Sequence, residues 1–95
     1  MDRDLIRNGA IVLEGSVIPD QFAEFYEEGA FAPSMVRDAL AQFEGDVDVW
    51  VNSPGGDPHA GEAIRVMLAA HPGQVTVRVA GDASSAASLL IMGAN

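Results

Sequence analysis

The 95 residues contain no cysteine and no lysine. The first absence excludes disulfides, thiolate metal ligands and a cysteine nucleophile. The second excludes a lysine general base. All five basic residues are arginines, against fourteen acids, for a formal net charge of −9. Phosphate backbones are held by basic patches, so nucleic acid is not an expected partner. Two histidines, His59 and His71, do not make a metal site, and neither a metal nor a cofactor is expected. No phosphate-binding loop motif is present, so any use of ATP would belong to a partner. No apolar run is long enough to span a bilayer, and no segment resembles a secretory leader. The expectation is a cytoplasmic protein with no membrane partner.

What remains is one small domain with 48% hydrophobic residues, too apolar for a disordered chain. The acids crowd into residues 20–48, where Arg37 is the only base. Such a run suits a solvated outer face. Residues 1–9 are polar and expected to be a loose arm. Ala10–Val17 reads as a first strand. Between Pro19 and Pro33, Phe22, Phe25 and Tyr26 have helical spacing. This stretch is expected to be a connector that packs its aromatics on the core, or a subunit or substrate contact.

The next helix is expected to start at Pro33-Ser34 with Ser34 as its N-cap. Met35, Val36, Ala39, Leu40 and Phe43 fall on one face, and Gly45 reads as the stop. A strand at Asp46–Val51 alternates strictly except at Trp50. A second helix spans about Pro58–His71, with Ala60, Ala63, Ile64, Met67 and Leu68 on one face. Pro72-Gly73 stops it. Val75–Val79 is the third strand. Gly81 is then expected to turn the chain into a helix over 83–94, apolar on most sides and so in need of burial. Alternating strands and helices predict βαβ units and a parallel sheet.

In parallel sheets, sites form beyond the carboxyl ends of the strands. Two turns occupy such places. Asn52-Ser53-Pro54-Gly55-Gly56 supplies glycines with no Cβ and bare N–H groups, able to hold a developing oxyanion or simply to make a tight turn. Gly81-Asp82-Ala83-Ser84-Ser85-Ala86-Ala87-Ser88 supplies three serines among small residues. Each serine could be a helix cap, and each could be a nucleophile. Were Ser85 the nucleophile, a helix N-terminus there would favour negative charge, and the following N–H, of Ala86, would be a second oxyanion donor.

Asn52-Ser53-Pro54-Gly55-Gly56, Ala60-Gly61, His71-Pro72, the valine strand and Gly81-x-Ala83-x-Ser85-Ala86-Ala87-Ser88 together resemble the ClpP family of serine peptidases. They look most like its phage head maturation (prohead) protease branch. The resemblance covers about Ala10 to Asn95 and departs at Ser84, where alanine is usual. It implies the N-terminal part of an α/β, ClpP/crotonase-like fold, a parallel sheet of repeated β-α units. It also implies a nucleophile at Ser85 and oxyanion donors at the N–H groups of Gly56 and Ala86. The family's base histidine and aspartate have no counterpart among these residues, so the chain is expected to be part of a longer enzyme. His71 is expected to be a surface residue and Asp82 a turn residue, while His59, three residues past Gly56, could approach the cleft, as a non-catalytic histidine first and as a base second.

The implied function is serine endopeptidase action on polypeptides by a homo-oligomeric ring. In the phage branch the substrates are scaffold and head proteins, and the location is the host cytoplasm or the prohead. In a cellular ClpP an AAA+ ATPase feeds the substrate. The alternatives are a crotonase-like acyl-CoA enzyme, which uses two backbone N–H groups and no serine, and a non-catalytic assembly protein that kept the fold.

Overall fold

The computed structural model describes residues 5–25 and 29–94. It opens with a hairpin where a loose arm was expected. Strand β1 (Ile6–Arg7) pairs antiparallel with β2 (Ala10–Glu14). Asn8 and Gly9 between them both take positive φ, 52° and 77°. Asn-Gly is the favoured sequence for such a two-residue turn. Residues 1–4 lie outside the described residues.

The expected strand over 10–17 is split at Gly15. Its second half, β3 (Ser16–Val17), leaves the main sheet and pairs in parallel with β4 (Ala30–Phe31). The aromatic stretch forms a 3₁₀ helix over Asp20–Phe25. Of the aromatics between Pro19 and Pro33, Phe31 is buried in the core as expected, whereas the Phe22 and Phe25 rings lean on one another, 6.5 Å apart, and both are exposed. Tyr26, the third residue of the expected helical face, lies outside the described residues.

Helix α1 (Pro33–Leu40) starts where expected but is capped differently. Its N-cap is Ala32, which offers no side-chain oxygen. Instead the Asp20 carboxylate accepts the Ser34 N–H at 2.7 Å. An N-terminal amide of a helix needs such an acceptor, and here it comes from fourteen residues upstream. The helix ends at Leu40, before Gly45. Val36, Ala39 and Leu40 are buried as the periodicity requires.

Strand β5 (Val47–Ser53) is central, and β6 (Val75–Ala83) is the edge of a four-stranded sheet ordered β1-β2-β5-β6. β2, β5 and β6 are mutually parallel. The intervening helices are α1 and α2 (Pro58–Ala70), so the βαβ expectation holds. Along β5 the odd positions are buried and the even ones exposed without exception. Trp50 obeys that alternation on the open face. The Arg78 guanidinium lies 5.7 Å from its ring centroid and 3.7 Å from the Asp48 carboxylate, a cation–π contact that explains an aromatic on the wet side.

One core joins the sheet's covered face to the helices: Ile11, Leu13, Val49 and Val51 meet Val36, Ile64, Leu68 and Leu90. Each such side chain contributes about 1.5–3 kcal/mol by leaving water. Asp57 caps α2, its carboxylate accepting the Ala60 N–H at 2.7 Å, with Pro58 in the first turn.

The last third departs most from expectation. β6 does not end at Val79; it runs through Gly81 to Ala83. In place of one long helix there is a 3₁₀ turn, Ser85–Ala87, followed by a single short helix, α3 (Ser88–Ile91). Leu90 is buried, but Ile91 and Met92 are exposed.

Candidate active site

The two turns singled out in the sequence do meet, because β5 and β6 are neighbours. Ser53 pairs with Ala83, and the Ser84 N–H donates to the Ser53 carbonyl at 3.2 Å. Gly56 lies three residues beyond one partner and Ser85 two beyond the other, at the same edge of the sheet.

The first turn is built from the Ser53 hydroxyl upward. Ser53 is fully buried, and its Oγ accepts the Gly55 N–H at 3.1 Å. That bond folds Pro54 and Gly55 over the strand end. Gly56 then bridges to Val17: the Val17 N–H donates to the Gly55 carbonyl and the Asp57 N–H to the Val17 carbonyl, both at 2.9 Å. Both neighbours of Gly56 are thus tied to β3, while its own N–H has no acceptor among the described residues. Only glycine fits here. Its φ is +148°, and a Cβ would lie 2.2 Å from the Val17 carbonyl oxygen. The turn therefore presents a fixed, unspent donor.

The second turn carries backbone strain. Ser85 has φ of +53°, one of two non-glycine residues in the left-handed region among those described. A residue with a Cβ adopts this conformation only when its surroundings enforce it, and such residues gather at functional sites. Here the enforcement is local. The Ser84 hydroxyl donates to the Asp82 carboxylate. The Ser88 hydroxyl donates to the Ser85 carbonyl at 2.6 Å, and the Ala87 N–H to the Ser84 carbonyl at 3.0 Å. Ser84 and Ser88 are thereby engaged, whereas Ser85 is exposed and its Oγ has no partner among the described residues.

Ala86 is the middle residue of the 3₁₀ turn. The long helix whose dipole was to act on Ser85 is absent, so any donor there is the amide of a tight turn. Asp82 is a strand residue rather than a turn residue.

Neither histidine is hydrogen-bonded to this edge among the described residues. His59 is exposed in the first turn of α2. His71, expected at the surface, is buried, and its Nε2 sits 2.8 Å from the Gly45 carbonyl oxygen. It fastens the end of α2 to the start of β5, at the opposite end of the strands. A cleft at that end, between Leu40, Phe43, Met67 and His71, is equally remote from Ser85. No cluster of three or more metal-ligating side chains occurs among the described residues. Within them, no helix is long and apolar enough to cross a membrane.

Sequence reasoning missed Ser53 and Asp57 as the residues that shape the first turn. Asp57 was readable, since an acid before proline is a cap signal. The Ser53 bond carried no such signal.

The family model for Clp protease matches residues 4–95. The chain belongs to the Clp protease family. Among solved structures, this Clp protease chain resembles the ClpP1 N165D mutant from Listeria monocytogenes, with TM-score 0.64 and 23% identity over 88% of this chain and 46% of that one. It also resembles the ClpP protease catalytic domain from Plasmodium falciparum, with TM-score 0.62 and 19% identity over 88% of this chain and 45% of that one. At these identities the likeness is one of fold. The Clp protease residues described here span less than half the length of either. A comparison with curated protein sequences gives no match.

Proposed function

We propose that this chain is the nucleophile-bearing part of a ClpP-type serine endopeptidase, with Ser85 as nucleophile and the N–H groups of Gly56 and Ala86 as oxyanion donors. The observation that carries the reading is the left-handed Ser85, free at its hydroxyl and set at the same sheet edge as the unspent Gly56 amide. Ser85 Oγ attacks the carbonyl carbon of the scissile peptide bond and gives its proton to a general base. The developing oxyanion is received by the two amides. The C–N bond then breaks, the leaving amine takes the proton from the base, and water releases the acyl group from Ser85. In this reading the base comes from outside these 95 residues, since His71 is at the far end of the strands, His59 is exposed on α2, and among the described residues no acid is paired with an imidazole. Donors pre-set by the two turns cost no reorganisation, which is why such sites are effective.

The phage head maturation branch is the finer reading. Its support is the motif pair 52–56 and 81–88, the His71-Pro72 helix end, and the exposed aromatic segment over Asp20–Phe25. In that reading the enzyme acts as a homo-oligomeric ring inside the prohead or host cytoplasm and cleaves scaffold and head proteins. A cellular ClpP would take its polypeptides from an AAA+ ATPase.

The test treats the full-length gene product with a fluorophosphonate probe and maps the labelled residue. Labelling at Ser85, abolished in Ser85→Ala, is expected. Loss of proteolysis in that variant should be at least about a thousandfold. Retained activity in Ser85→Ala would point to a crotonase-like enzyme, and no labelling at all to a non-catalytic assembly protein. Cleavage of purified head proteins without ATP would support the phage reading, and dependence on an ATPase the cellular one.

A further inference from the structure

The β5–β6 ladder changes step just before the two turns. Val51 pairs with Val79, yet Ser53 pairs with Ala83. Two residues of β5 are matched by four of β6. Residues 80–82 therefore stand opposite Asn52 alone, a bulge in the last part of β6. Bulges of this kind re-aim the chain beside active sites.

A bulge removes ladder acceptors from the amides it contains. Here the Asn52 side chain supplies one. Its Oδ1 accepts the Asp82 N–H at 3.0 Å. The fit is tight on the β6 side: Gly81 has φ of +142°, and a Cβ there would lie 2.6 Å from Asn52 Oδ1. Asp82, held in this way, takes the Ser84 hydroxyl on its carboxylate. Ser84 in turn donates its N–H to the Ser53 carbonyl, and Ser85 follows. A continuous path of bonds thus runs from Asn52 through Asp82 and Ser84 to the strained serine.

We propose that Asn52 is a positioning residue whose side-chain carbonyl stands in for a missing rung of the sheet and fixes the Ser85 turn relative to Gly56. The catalytic half of this statement rests on the reading of Ser85 as nucleophile. The geometric half does not.

The experiment therefore reads both halves on the full-length protein. Amide hydrogen exchange at Asp82 and Ser84 reports the rung, and fluorophosphonate labelling per folded molecule reports its use. In Asn52→Ala both amides should exchange about tenfold faster or more, while Val49 and Val51 stay protected. The limiting labelling rate should fall about tenfold to a hundredfold, with little change in the probe concentration for half-saturation, because a displaced nucleophile loses rate rather than binding. Asn52→Asp keeps an acceptor oxygen at the same reach and should restore both readouts to within a few-fold.

A merely stabilising residue would lower the melting temperature and leave labelling per folded molecule unchanged, which overturns the proposal. Wild-type exchange at Asp82 in Asn52→Ala also overturns it. Should Asn52→Ala fail to fold, Gly81→Ala presses on the same contact from β6, and unchanged Asp82 exchange there overturns it too. If labelling survives Ser85→Ala, the nucleophile reading fails by itself, and faster exchange at Asp82 and Ser84 in Asn52→Ala would still uphold the rung.

Discussion

Strand β5 is tied to β6 by a side chain at each end, and the two ends behave differently. At the start, the Asp46 carboxylate accepts the Gln74 N–H at 2.9 Å. At the finish, the Asn52 carbonyl accepts the Asp82 N–H at 3.0 Å. Both are short polar side chains capturing a backbone amide one strand away. At the start the strands are in step, Val47 with Val75 and Asp48 with Thr76. His71 closes that end by burying its ring against Gly45. At the finish β6 carries two surplus residues, and the turns beyond it hold Gly56 and Ser85 at positive φ. Equal bonding gives a closed, relaxed end and an open, strained one. The extra chain length of β6 leads into the strained serine turn, while the bonds of Gly55 and Asp57 to Val17 leave the Gly56 N–H between them unspent among the described residues. Strain of this sort is tolerated where the surrounding ladder over-determines it.

The sharpest way to break the comparison is Gly56→Ala. The added Cβ meets the Val17 carbonyl oxygen at 2.2 Å, so the turn must rotate and carry its N–H away. Labelling of Ser85 per folded molecule should fall by about a hundredfold or more, the usual cost of losing an oxyanion donor. Near-wild-type labelling of a folded Gly56→Ala protein would remove Gly56 from the site and leave the open end without its donor.

Much of this contrast was legible in the residues. The alternation in 47–51, the helical face of 60–68 and the glycine turn place the open end correctly, because period and turn chemistry are local signals. The closed end was not legible. His71 looks like a helix-end residue facing water until the Gly45 carbonyl, 26 positions away, is brought to it. The bulge was equally hidden. Gly81 reads as a terminator, yet pairing with β5 carries β6 past it to Ala83. Ser34 shows the same limit, since the acceptor that starts α1 is Asp20. Each miss is a long-range bond overriding a local preference. The Asn8-Gly9 hairpin and the Asp57 cap are exceptions: local signals that were present and overlooked.

His71→Ala tests the closed end by itself. It deletes a buried ring and its bond to Gly45, which should cost about 1–3 kcal/mol of stability, seen as a lower denaturation midpoint. Labelling of Ser85 per folded molecule should not change, because the substitution lies at the far end of the strands. A matching fall in labelling would mean that the two ends are coupled through β5, and the contrast between them would collapse.

The smallest effect belongs to neither end and serves as the reference for both. Midway along α2, Arg65 donates to Glu62 through Nε at 2.9 Å and Nη2 at 2.6 Å. These hydrogen bonds, opposed by desolvation and aided by the attraction between the charges, hold the Glu62 carboxyl below its ordinary value. A depressed folded value means that the contribution is present above the unfolded carboxylate range and is lost as pH falls through the folded one. In Arg65→Gln the Glu62 titration, followed by carboxyl NMR, should move up toward the ordinary value. The variant should also show a slightly weaker loss of stability on acidification. The pair is solvent-exposed and screened by salt, so the stability change should be close to the limit of detection. Exchange at Asp82 and the mobility of the His71 ring should both match the wild type. Unaltered titration of Glu62 in the variant would show that the pair does not hold in solution. Altered exchange at Asp82 would show that α2 itself, and not the ladder alone, transmits to the open end.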